Sequence, residues 1–110
     1  MIIKGKTLRI PIYNIKTRVF IATSIKEIYE AKGWEGGDDF DAGVFYDDES
    51  VSMDLVLPPD CPPDIVVHEV IHMVTTLCKF VEMRIDPEND ESIAYLAQYI
   101  FKEVWEFINA

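Results

Sequence analysis

His68 and His72 are the only histidines in the chain, and they stand in one stretch, His68-Glu69-Val70-Ile71-His72. On a helix, residues four apart lie one turn apart on the same face. Two imidazoles so placed can bind one metal ion, and the carboxylate of Glu69 then lies beside it. Two nitrogen ligands next to a carboxylate base is the donor set of zinc-assisted hydrolysis. Zinc is therefore the expected ion, His68 and His72 its ligands, and Glu69 the general base for a water molecule.

These side chains need a helix with a buried back. The spacing predicts one from about Pro63 to Val81. At 100° per residue, Val66, Val67, Val70, Ile71, Val74, Leu77, Cys78 and Val81 share one apolar arc. His68, His72 and Lys79 fall opposite, with Glu69 at the flank. Proline is tolerated in a first helical turn, and Asp64 there suits the helix dipole. A second helix is expected from about Glu91 to Ile108, capped by Asn89 or Asp90 after the turn Arg84–Asp90. Its apolar positions Ile93, Leu96, Ala97, Ile100, Phe101, Val104, Phe107 and Ile108 follow helical spacing.

Upstream, the pattern is one of strands. Lys6–Tyr13 and Thr17–Ala22 read as two strands joined around Asn14, with Pro11 placing the first at an edge. Ser24 and Glu27 make a capping-box pattern for a short helix ending at Gly33. Trp34–Asp41 reads as a solvated acidic loop without calcium-loop spacing. Val44–Tyr46 and Val51–Leu57 form a hairpin turned at Asp47–Ser50. The expected fold is a single α+β domain: a small antiparallel or mixed sheet packed on the motif helix and a C-terminal helix.

The 110 residues suffice for one small core, and 49% of them are hydrophobic. A net charge of −10 disfavours nucleic acid and anionic membrane surfaces as partners. No apolar run is long enough to span a bilayer, and no signal-peptide pattern opens the chain, so a cytoplasmic location is expected. Cys61 and Cys78 are then expected as free thiols, with Cys78 a small buried hydrophobe.

A catalytic zinc takes three protein ligands and keeps one position open. In the pattern H-E-x-x-H-x-x-G-x-x-H, the glycine position is Thr75 and the last ligand position is Cys78. Without the glycine the helix continues and turns Cys78 toward the buried side. In a second pattern, the third ligand is a glutamate opening the next helix, roughly twenty residues past the second histidine. Glu91 stands at that distance and is the candidate, with Asp90 and Glu88 as alternatives. Glu82 and Asp86 follow the motif helix too closely.

On His68-Glu69-Val70-Ile71-His72 and Asn89-Asp90-Glu91-Ser92-Ile93-Ala94-Tyr95-Leu96, the chain resembles zincin-type metallopeptidases of the glutamate-zincin branch. It is closest in pattern to the short metallopeptidases of phages and prophages. The resemblance covers about the last fifty residues and implies a minimal zincin-like fold. It also implies hydrolysis of amide bonds in a peptide or protein substrate, with Glu69 and an oxyanion donor as catalytic groups. Tyr95, four residues past Glu91, is the candidate donor; its other reading is a half-buried aromatic. In zincins an edge strand beside the cleft pairs with extended substrate, and Val51–Leu57 is the candidate strand. One lobe is small for a cleft, so the cleft is expected either to be shallow or to be shared with a second copy or a protein partner. The alternative is a non-catalytic, zincin-like metal-binding or regulatory module.

Overall fold

Strand β1 (Ile2–Arg9) turns back through Asn14, at φ 53°, into β2 (Lys16–Ala22). The two pair antiparallel, with Thr7 opposite Arg18. The computed structural model describes residues 2–10, 13–26, 30 and 42–110. A second hairpin follows, β3 (Gly43–Asp47) and β4 (Ser52–Leu57), pairing antiparallel with Val44 opposite Leu55. Its turn is held by Asp47, whose Oδ1 accepts the Glu49 N–H at 2.9 Å. The hairpins join through a parallel ladder between β2 and β4, with Val19 beside Leu55, giving the order β1-β2-β4-β3.

Helix α1 (Pro63–Phe80) and helix α2 (Asp90–Ile108) cover one face of this mixed sheet. Leu8, Val19, Ile21, Met53, Leu55 and Leu57 meet Val66, Val70, Met73, Val74 and Leu77 of α1 and Ile100 and Val104 of α2. Fully burying a side chain of this kind contributes about 1.5–3 kcal/mol, so this shared core is what holds α1 in place. α2 lies along β1: Lys4 Nζ donates to the Phe107 carbonyl at 2.7 Å, and Lys6 pairs with Glu103 at 3.8 Å. The α+β expectation, a small mixed sheet under two helices, is borne out. Among the described residues, no helix is long and apolar enough to cross a membrane.

Several expectations change in detail. β1 begins earlier than Lys6, because Lys4 and Lys6 face α2 through ammonium groups that hydrophobic patterning passes over. β4 is not an edge strand. It is paired on both sides, and Met53–Leu57 is buried on both faces. The edge beside it is β3. α2 has no side-chain cap from Asn89 or Asp90; the cap is Asp86. Its Oδ1 accepts the Glu88 and Asn89 N–H groups at 3.0 and 3.2 Å, on a 3-10 turn (Pro87–Asn89) that leads into α2. Ile25, Lys26 and Glu30 are helical, and Ser24 Oγ accepts the Lys26 N–H at 3.1 Å. The rest of the helix expected up to Gly33, and the acidic loop 34–41, lie outside the described residues.

Candidate functional site

Helix α1 starts after Pro62 with Pro63 in its first turn and no side-chain cap, so packing rather than capping secures it. Seven of its residues are buried, among them Val66, Val70, Met73 and Leu77. That back orients the opposite face outward, where both histidines are exposed. The His68 and His72 Nε2 atoms lie 3.2 Å apart, with ring centroids 4.9 Å apart and planes at 70°. Two nitrogens bound to one tetrahedral zinc at ordinary Zn–N lengths stand roughly 3.3 Å apart. The pair is thus spaced as a shared ion requires. Without an ion, the same approach lets one ring N–H donate to the other ring.

Glu69 sits differently. It is only 7% exposed, and among the described residues its carboxylate makes no hydrogen bond or ion pair. It lies where α1 faces the sheet edge. Two adjoining cavities of about 280 Å³ each share Ala42 and Glu69. One continues along β3 past Tyr46 to His72 and Thr76; the other opens past Asp64 and Ile65 to His68. Together they make a trough between β3 and α1, with Glu69 in its wall and the histidines along its rim. A carboxylate so shielded, yet reachable from an open trough, can take a proton from a water held beside it.

The far end of the trough is tied. Lys79 Nζ donates to Tyr46 Oη at 3.4 Å, pairs with Asp48 at 3.3 Å and lies 4.5 Å from the Tyr46 ring centroid. The hydrogen bonds to Tyr46 and then Asp48 push the Lys79 pKa up. This ammonium links the last turn of α1 to the edge strand and its turn. Thr75 Oγ1 donates to the His72 carbonyl at 3.0 Å, a local bond within the helix.

The structure brings His68, His72 and Glu69 to one trough. Glu91 is exposed in the first turn of α2, and among the described residues no third His, Cys, Asp or Glu converges with the histidine pair. Tyr95 is 66% exposed rather than half-buried, and lies on neither side of the trough. At helical spacing, Glu91 and Tyr95 point away from the side that buries Ile100 and Val104. Asp90 instead faces α1, beside Ile71 and Val74. Cys61 and Cys78 are both buried free thiols, and the Cys61 thiol hydrogen lies toward the Pro62 carbonyl at 3.7 Å.

Sequence reasoning missed β3 as a wall of the site, and with it Tyr46. The alternation that puts Val44 and Tyr46 on one face was visible. Edge position was not, because it depends on which strand β4 pairs with. No family model, curated protein or solved structure matches the chain.

Proposed function

We propose that the chain is a zinc-dependent metallopeptidase with a minimal zincin-like arrangement. The observation that carries this reading is the 3.2 Å Nε2–Nε2 spacing beside a shielded Glu69 that makes no ion pair among the described residues. A hydrogen-bonded histidine pair alone has no use for that carboxylate. His68 and His72 would hold the ion through Nε2; no acid stands beside them as a third ligand among the described residues, and Glu91, by its sequence spacing, is the acid that would have to move in to complete the set. Zinc held there would supply an electrophile for the scissile carbonyl and lower the pKa of a water to about 7. Glu69 would take a proton from the attacking water and deliver it to the leaving amine. β3, paired only with β4 among the described residues, offers backbone N–H and C=O groups to an extended peptide.

Metal content and hydrolysis test this separately. His68→Ala and His72→Ala are expected to lose bound zinc, measured by atomic absorption after dialysis. Glu69→Gln is expected to keep zinc and lose peptide cleavage, a fall of at least roughly 100-fold in kcat. Glu91→Ala and Asp90→Ala, compared side by side, identify the oxygen ligand by which one loses metal. Zinc retained by His72→Ala would sink the proposal. Zinc bound by the wild type with no cleavage of any peptide would favour the non-catalytic module.

A further inference from the structure

The apolar arc of α1 is wider than the sheet beneath it. Val67 and Ile71 were expected on the buried side, yet they are 47% and 51% exposed. α2 runs beside this uncovered strip without filling it, because Ala94 there is too short to reach across. The result is an open groove of about 510 Å³ between the helices. Ile71, Val74 and Ile93 line it, and Ile85, 58% exposed, stands at its mouth. Asp86 and Asp90 are the charged residues on its walls, and no lysine or arginine lines it among the described residues. Arg84 pairs with Asp86 from outside at 3.4 Å, which leaves Asp90 as the uncompensated charge. Ile71 directly precedes His72, so the groove opens beside the histidine ridge, on the side away from β3.

We infer that this groove seats an apolar side chain of the substrate, and that the residues flanking that side chain are lysine or arginine. The inference rests on the peptidase reading of the neighbouring ridge. The apolar stretch of wall formed by Ile71, Val74, Ile93 and Ala97 rewards an aliphatic or aromatic side chain. Asp90 and a molecule with net charge −10 attract cationic flanks. The same charge opposes a second copy as the occupant, since that would set two acidic walls face to face.

The test needs no metal and no turnover. Metal-free protein, labelled at isoleucine methyl groups, is titrated with a ten-residue peptide carrying one leucine between lysines. Three controls accompany it: a peptide with alanine for leucine, a peptide with glutamate for the lysines, and the parent peptide at high salt. The parent is expected to shift the Ile71, Ile85 and Ile93 methyl signals. Each control is expected to bind roughly tenfold more weakly or worse. Ile85→Ser and Ala94→Arg, both at exposed positions, are expected to weaken the parent peptide similarly while keeping zinc at His68 and His72. Equal binding by the glutamate peptide, or unchanged binding by both variants, would overturn the inference. So would a dimer that Ile85→Ser dissolves, because the groove would then belong to a second copy. Loss of zinc binding with intact peptide shifts would instead sink the metal reading alone.

Discussion

Glu69 is the one ionisable member of its motif that the fold shields, and its field reaches a neighbour. Burial pushes the Cys61 thiol up first, and Glu69 and then Asp64 push it further; burial alone raises Cys78. Both shifts disfavour the thiolate, the reactive form of cysteine, near neutrality. Folding favours the protonated thiols. Their stabilising contribution is full below the ordinary value of 9.0 and is lost as pH rises through the raised values. A thiol-specific reagent at pH 8 is expected to label both slowly in buffer and rapidly in denaturant. Rapid labelling of Cys61 in buffer would contradict its burial. At this scale the sequence was informative: the two histidines and Cys78 have the exposure their periodicity implied. Val67 and Ile71 do not. Helical periodicity measures the width of an apolar arc, whereas burial depends on how much of that arc a neighbour covers.

The elements end where local chemistry lets them, not always where the favoured residue stands. α1 closes through Glu82 at φ 56°, a left-handed conformation usually given to glycine. The Glu82 N–H donates to the Lys79 carbonyl at 3.3 Å, and the Met83 N–H to the Cys78 carbonyl at 2.9 Å. Met83 packs against the core and completes the stop. Glu82→Gly is expected to raise stability by about 0.5–1 kcal/mol, read from the urea midpoint. A lowered midpoint would mean that the glutamate side chain contributes something the backbone does not. No glycine marked this boundary, so the end of α1 was legible only from where the apolar spacing stops. The strands were legible as strands from their alternation, but their order was not. Val51–Leu57 looks like an edge strand because Ser52 and Asp54 are polar. In the fold Asp54 is 5% exposed, and Arg18 on β2 neutralises it. A buried acid paired across strands reads in the sequence like a solvated one.

The described residues assemble two hairpins and the helices α1 and α2 around one parallel seam. Arg18 and Asp54 are register partners across it, joined by hydrogen bonds of 2.9 and 3.2 Å. Asp54→Ala is expected to cost about 1–3 kcal/mol, the range for a hydrogen bond to a charged group, in equilibrium denaturation. A cost near zero would mean that solvent, which reaches part of Arg18, already compensates it. The class of fold was legible because patterning separates strand from helix. The seam was not, since parallel pairing between distant segments leaves no local signature. That seam also sets a clock. Each hairpin closes a short turn, but Arg18 and Asp54 are 36 residues apart in the chain. The entropy of closing that loop is lost before any native contact across it is gained. The meeting of the two hairpins is then expected to be the slow event of folding. Until it happens, α1 has no completed sheet to hold its back, so the histidine ridge is built at a rate set by strands that never touch it.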